Sequence, residues 1–412
     1  MSTRNTTSPK LPSQTELFKP LLEAIHAAGG AAKPSDIYND IAERIGLDAE
    51  TRAIRIDGGK AGSISAFERS VRWTKQRAVA EGLVTNETRN RWELTDKANE
   101  KLGNIIRGAM LTIFTTNNGL MLWANCEDAV GLIDEGSVSL LLSSPPYPIL
   151  RQKAYQRGDD HSTQAWTEWM LRLCEQWAKM LTPTGSMMLN LGTVWEPGMP
   201  AQSLYIERLL IRLQDALGFH LLQRLDWHSP SKLPSPAEWV TIRKLRVKPS
   251  VEPILWLSQN PFAHGDNRNV LVPYSKSSLR ALANPKTGVQ TRPSGHTFGA
   301  GMFVDNGGAI PPSLISASNT ASASKYRAAE RAAGRKSHPA MMPDALAEFG
   351  IKLATQLDDL VYDPFSGAGT VALAAEKLGR RWIGTERSRE YITSSGINFT
   401  ANGISINNLI AA

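Results

Sequence analysis

Leu360-Val361-Tyr362-Asp363-Pro364-Phe365-Ser366-Gly367-Ala368-Gly369-Thr370 joins a short apolar run to a glycine-bearing loop and then to the helical stretch Gly369 to Leu378. Such a run, bounded by turn residues, is the pattern of a strand buried on both faces of a parallel sheet. Glycines at the turn let the backbone approach a ligand, and the helix N-terminus with Thr370 offers N–H donors to an anionic group. One strand further on, Trp382 to Thr385 ends at Glu386, where a carboxylate can accept from both hydroxyls of a ribose. This combination of strand, glycine loop, helix and strand places the chain among α/β folds.

The same pattern extends outward. Val138 to Leu142, Ser186 to Leu191 and Phe219 to Trp227 read as strands, and Ala165 to Leu181, Gln202 to Leu217 and Pro343 to Leu357 as helices. Strands alternating with helices imply a doubly wound sheet with helices on both faces. From Phe262 to Lys336 the pattern dissolves into Gly, Pro, Ser and Asn, too long a stretch for a passive loop, which predicts a functional insertion. The glycine loop opens on Asp363 where a pyrophosphate-binding loop would not, so it suits a ligand carrying positive charge. S-adenosylmethionine, with a sulfonium, an ammonium and a carboxylate on a nucleoside, meets that description.

Ser144-Pro145-Pro146-Tyr147 stands directly at the carboxyl end of the strand Val138 to Leu142, the edge at which open parallel sheets bind ligands. Two prolines fix the backbone and remove two N–H donors, so carbonyl acceptors dominate there. A substrate that donates hydrogen bonds, such as the exocyclic amino group of a nucleobase, fits. Acceptors on both its hydrogens draw the nitrogen toward tetrahedral geometry and free its lone pair. Ser144 and the Pro145 carbonyl are the candidate acceptors, and Tyr147 offers a flat face to an unstacked base. A Pro-Pro turn beside a core tyrosine is the alternative.

Ahead of this region, Thr15 to Ala28, a helix starting near Ser35, and Ser65 to Glu81 predict three helices, and Leu83-Val84 with Arg91 to Leu94 predict a hairpin. That order is a winged helix. Its third helix sets Phe67, Val71, Trp73 and Ala78 among the basic residues Arg69, Arg72, Lys75 and Arg77.

The chain has 412 residues, 42% hydrophobic and 21% charged, too many for one small module and balanced like a soluble globular protein. Its net charge of +7 favours a polyanionic partner. Cys126 and Cys174 lie too far apart in sequence to suggest a zinc or redox pair, and no metal-binding spacing occurs among the seven histidines. No stretch has signal-peptide or membrane-span length, so a cytoplasmic protein without membrane attachment is expected.

Ser144 to Tyr147 followed by Asp363 to Thr370 resembles the bacterial site-specific DNA methyltransferases that modify exocyclic amino groups, in the permuted group whose catalytic motif precedes the cofactor motif. The first segment resembles the winged-helix domain at the N-terminus of some bacterial restriction-system proteins, which implies that its third helix lies in a major groove with Arg69, Arg72 and Lys75 on phosphates or base edges and Arg89 and Arg91 on the wing; a solvated helix face or a dimerisation surface is the alternative. The resemblance implies a doubly wound Rossmann-like methyltransferase sheet preceded by a small winged-helix domain. The implied layout is a disordered tail over 1–13, the winged helix over 14–103, a catalytic half over 110–261, a target recognition region over 262–336 and a cofactor half over 337–402.

It further implies that Ser144, Pro145, Pro146 and Tyr147 serve catalysis. Asp363, Phe365, Ser366, Gly367, Gly369, Thr370 and Glu386 would hold S-adenosylmethionine, with His338 and Pro339 at its methionine end and Asn125 and Cys126 at its adenine. Trp227 would flank the target base or stand in the core, and basic residues of the recognition region, Arg268, Arg292, Arg327 and Arg335 among them, would meet double-stranded DNA or form solvated surface. A homodimer and a separate cognate endonuclease are compatible partners. Neither cysteine has the Pro-Cys context of a C5-methylating nucleophile, which leaves direct in-line transfer to an amino nitrogen. Ser144 tilts the target toward cytosine N4 over adenine N6. An inactive DNA-binding regulator and an RNA or protein amino-methyltransferase are the competing readings.

Overall fold

The computed structural model describes residues 11–28, 31–57, 62–85, 90–95, 98, 110–148, 162–285, 288–299, 301, 304–318, 324–335 and 341–408. Arg89, His338 and Pro339, and most of the expected tail, lie outside these residues. Two compact units divide the chain, Met1–Asn104 and Ile105–Ala412.

In the first unit, α1 (Gln14–Ala27), β1 (Ala31–Ala32), α2 (Pro34–Arg44), α3 (Ala49–Ala53), β2 (Arg55–Asp57), β3 (Ser63–Ser65), α4 (Ala66–Ala80), β4 (Val84–Thr85) and β5 (Trp92–Leu94) follow in order. Leu17, Leu21 and Ile25 of α1 pack with Ile37 and Ile41 of α2, Phe67 and Val71 of α4, and Trp92. β4 and β5 form the expected hairpin, and β1 joins it as a third antiparallel strand. The winged-helix order stands, with the short α3 and the hairpin β2 to β3 added to it. α2 starts on Pro34 after Lys33, not at Ser35, because proline fits the first helical position, where its missing N–H would have no intrahelical partner. The Ser65 hydroxyl caps α4 by accepting from the Glu68 N–H at 3.3 Å.

One expectation for α4, the DNA contact of Lys75, is corrected. Trp73 is 55% exposed, whereas Lys75 is buried, its ammonium 6.0 Å from the centre of the Trp92 ring, and burial lowers its pKa. The reason is helical period: Phe67, Val71, Thr74, Lys75 and Ala78 share the inner face, while Arg69, Arg72, Trp73 and Gln76 share the outer one. Lys75 therefore does not reach a phosphate.

The second unit is built on ten strands in the order β14-β10-β11-β9-β8-β15-β16-β7-β6-β17. These are β6 (Met110–Thr115), β7 (Gly119–Ala124), β8 (Val138–Ser143), β9 (Leu181–Asn190), β10 (His220–His228), β11 (Val251–Ser258), β14 (Leu314–Ser316), β15 (Leu360–Asp363), β16 (Arg381–Glu386) and β17 (Asn407–Asn408). β9, β8, β15, β16 and β7 run parallel, and antiparallel partners flank them. The remaining helices are α5 (Thr163–Met180), α6 (Tyr205–Leu217), α7 (Lys276–Ala283), α8 (Ser324–Ala332), α9 (Asp344–Ala354), α10 (Thr370–Lys377) and α11 (Arg389–Ala401). Trp166, Met170 and Trp177 of α5 and Leu209 of α6 build the core on one face. Ile351 of α9, Val371 of α10 and Phe399 of α11 build it on the other. This is the doubly wound arrangement.

β8 and β15 are adjacent and parallel. From β8 the chain moves to β9 on one side, and β15 continues to β16 on the other, so the carboxyl ends of β8 and β15 flank the point where strand order reverses. The stretch 262–336 belongs to the same compact unit. It holds α7 and a small hairpin, β12 (Gln290–Thr291) with β13 (Thr297–Phe298), and then supplies β14, which pairs with β10, and α8, which packs on α11.

Candidate active site

Ser144 follows the last residue of β8, and Asp363 is the last residue of β15. The Ser143 hydroxyl donates to Asp363 Oδ1 at 2.6 Å, and the Phe365 N–H donates to the same oxygen at 3.1 Å. Burial raises the Asp363 pKa to about 7, against these two hydrogen bonds, and nearby Glu386 adds to the rise. Glu386 accepts from the Gly367 N–H at 3.0 Å and the Ser388 N–H at 2.7 Å, and burial raises its pKa too. Gly367 and Gly369 have φ of 51° and 74°, the left-handed region that glycine enters without a Cβ clash. The Ser366 hydroxyl is buried with no hydrogen-bond partner among the described residues. Two carboxyl groups at the ends of adjacent parallel strands, with an orphan hydroxyl in the loop that joins their strands, fit a polar ligand that carries both hydroxyls and positive charge. Asp363, Phe365, Ser366, Gly367, Gly369, Thr370 and Glu386 thus lie on one loop and the end of the neighbouring strand.

Aromatic rings line that place. Phe365 lies 5.8 Å from Trp169 and 6.1 Å from Trp177, centre to centre, and Trp169 Nε1 donates to Glu127 at 2.9 Å. Asn125 turns its amide to Asp128 at 3.1 Å, and Cys126 is buried beside it. From the stretch 262–336, Tyr326 of α8 is buried against Ala368 of the glycine loop.

Ser144 to Tyr147 are held by groups that the sequence reading did not single out. Tyr147 donates to Glu252 Oε2 at 3.0 Å, and Glu252 pairs with Lys232. A carboxylate paired with an ammonium only accepts, so the phenol proton points to Glu252 and the phenol oxygen receives the Ser144 hydroxyl at 3.1 Å. This chain leaves the lone pairs of Ser144 for another donor. Asn190 at the end of β9 lies 3.5 Å from Ser144, and Trp166 Nε1 donates to the Pro146 carbonyl at 2.6 Å. Tyr147 packs over Gly192, where a Cβ would come 2.2 Å from the ring. Pro253 within β11 hid that strand, and Glu252 with it, from the periodicity reading.

Of the two readings of Trp227, the structure takes the core one. Its ring is buried in the core with Leu225 and Trp256, and its Nε1 donates to the Ala317 carbonyl at 2.8 Å, so it does not face a base. Two expected DNA contacts also have structural work: Arg268 pairs with Asp266 at 2.7 Å, and Arg335 pairs with Glu330 at 3.5 Å while donating to the Glu390 carbonyl at 2.7 Å. Arg292 is exposed in the turn between β12 and β13, and Arg327 is partly exposed on α8. Arg69, Arg72 and Arg91 are exposed, Arg91 beside Glu93 at 3.3 Å.

The N6/N4 DNA methylase family model matches residues 138–396, more than half the chain. The chain belongs to this family. The methylase is 39% identical over 294 residues to the type II methyltransferase M.PvuII of Proteus hauseri, covering 71% of this chain and 87% of that one. It is 23% identical over 302 residues to M.ScaI of Streptomyces caespitosus, covering 71% and 84%. A solved structure titled PvuII DNA methyltransferase, cytosine-N4-specific, superposes with a TM-score of 0.57 at 35% identity, covering 71% of the methylase and 89% of that chain. The Mrr N-terminal domain matches residues 15–104. The methylase is a DNA methyltransferase with an Mrr-type first domain.

Proposed function

We propose that the protein methylates the N4 amino nitrogen of cytosine in double-stranded DNA, on a base turned out of the duplex. The single observation that carries this reading is the hydrogen-bonded run from Ser144 through Tyr147 to Glu252. Its polarity leaves a hydroxyl oxygen ready to accept from an amino group, at the same sheet edge as the acid-flanked glycine loop. Ser144 and the Pro145 carbonyl take the two amino hydrogens, and the nitrogen lone pair is drawn out of conjugation. The run ends on the Glu252 carboxylate, which is the base at hand for the proton the nitrogen gives up.

S-adenosylmethionine, when bound, supplies an electrophilic methyl on sulfur. Asp363 and Glu386 meet its cationic and ribose ends, and Phe365, Ser366, Gly367, Gly369 and Thr370 form its cradle; Asn125 and Cys126 lie toward the adenine. Cytosine over adenine is supported by Ser144 at the head of the tetrapeptide and by the cytosine-N4-specific relative. The type II methyltransferase relatives support a place in restriction and modification, beside a separate endonuclease. The outer face of α4, with Arg69, Arg72 and Trp73, is proposed as a second DNA contact. Incubating purified protein with tritiated S-adenosylmethionine tests the reading: label should pass to duplex DNA and not to RNA or protein.

A further inference from the structure

The connection between β10 and β11 runs from Ser229 to Ser250. Within these 22 residues Lys232, Arg243, Lys244, Arg246 and Lys248 stand against one acid, Glu238, a net of +4 where the whole chain carries +7. The loop leaves the sheet at the catalytic pocket, because Lys232 near one end pairs with Glu252, the carboxylate that receives Tyr147. Every residue from 241 to 248 is exposed, including Ile242 at 67%, Leu245 at 50% and Val247 at 88%.

The loop has a built shape. Glu238 to Ile242 form one helical turn; Arg243 pairs with Glu238 at 2.7 Å and lies 5.2 Å over the Trp239 ring. The Leu245 and Arg246 N–H groups both donate to the Trp239 carbonyl, at 2.8 and 3.2 Å. Arg246 Nε donates to the Pro200 carbonyl at 2.9 Å, and Lys248 Nζ donates to the Pro230 and Lys232 carbonyls at 3.4 and 3.3 Å. Carbonyls position these two cations without neutralising them. Lys244 precedes them in the chain, with a left-handed φ of 56° and no ion pair among the described residues. Three positive charges without an ion pair among the described residues therefore alternate with exposed apolar side chains in a loop anchored beside Glu252.

One-sign charge next to the pocket suits a polyanion, and apolar side chains between the charges suit groove surface. A second copy would set +4 against +4, which repels. We propose that residues 229–250 are the element that grips duplex DNA beside the flipped base, with Lys244, Arg246 and Lys248 on phosphates and Leu245 and Val247 in the groove. The proposal rests on the reading of the site as a DNA base pocket.

Full-length Lys244→Glu and Leu245→Ser/Val247→Ser proteins test it, by fluorescence anisotropy of a labelled DNA duplex over a series of salt concentrations. Lys244→Glu should weaken binding roughly tenfold at low salt and reduce the slope of log affinity on log salt by about 1. The double serine variant should weaken binding with the slope unchanged. Both should bind a non-reactive S-adenosylmethionine analogue as the wild type does. Wild-type DNA affinity and slope in both variants would overturn the proposal, as would a change in light-scattering mass with DNA binding intact, which would make the loop a self-association face. Failure of the wild type to methylate duplex DNA would overturn the underlying reading instead.

Discussion

The Ser143 hydroxyl donates to the Asp363 carboxyl at 2.6 Å, joining the ends of β8 and β15 across 220 residues of chain. Both groups are buried. One hydrogen bond thus locks the frame of Ser144 to Tyr147 to that of the glycine loop, so the two proposed half-sites are fixed relative to each other without a ligand.

The Asp363 pKa of about 7 lies above its ordinary 3.8, so below pH 7 the folded protein holds a proton there. A cationic ligand prefers the ionised form. Affinity for S-adenosylmethionine should therefore rise roughly tenfold between about pH 6 and 8, and Asp363→Asn should bind weakly without that rise. The ligand-free protein has the opposite trend. Between about pH 4 and 7 the unfolded chain has lost a proton that the folded chain keeps, so stability falls as pH rises, by about 4 kcal/mol in total. Isothermal titration and urea unfolding across this range check both signs.

Ser144→Ala should lower kcat about 100-fold or more, with cofactor affinity within about twofold of wild type, because the hydroxyl acts on the base. Glu252→Gln should also lower kcat, since an amide can donate to Tyr147 and reverse the run of hydrogen bonds. Single-turnover kinetics and titration with an unreactive cofactor analogue separate the two effects. Loss of analogue binding in Ser144→Ala would show that the tetrapeptide is structural.

Gly192→Ala should fold yet lose about 100-fold in kcat, because its Cβ would lie 2.2 Å from the Tyr147 ring and must displace it. Near-normal turnover, with the circular dichroism of the wild type, would show that the Tyr147 position is not critical.

Removing residues 1–103 should weaken DNA binding and flatten its salt dependence, since the exposed Arg69 and Arg72 go with it. Slow methyl transfer should persist. An unchanged salt slope in a soluble truncated protein would assign the first unit to dimerisation.

The central strands and the two motifs were legible because buried parallel strands are short apolar runs ended by turn residues, and Val138 to Leu142 and Leu360 to Tyr362 fit that pattern. β7 was not read, because Gly119 opens it, a residue forced by the Trp382 carbonyl, which lies 2.2 Å from where a Cβ would be. Glu252 was hidden by Pro253, whose carbonyl serves the Leu191 N–H instead. Trp227 and Lys75 misled for a common reason: residue type suggests a partner, but the face a residue occupies decides it. A tryptophan can stand in the core and a lysine can bury its stem on an aromatic ring, and only tertiary packing separates these outcomes. Arg268 and Arg335 gave no sign in sequence of the acids that hold them.

Identifying the modified nucleoside tests the central claim most directly. Duplex DNA methylated by the purified protein is digested to nucleosides and analysed by mass spectrometry. The account predicts N4-methyldeoxycytidine. N6-methyldeoxyadenosine would contradict the cytosine assignment, and 5-methyldeoxycytidine would contradict transfer to an amino nitrogen altogether.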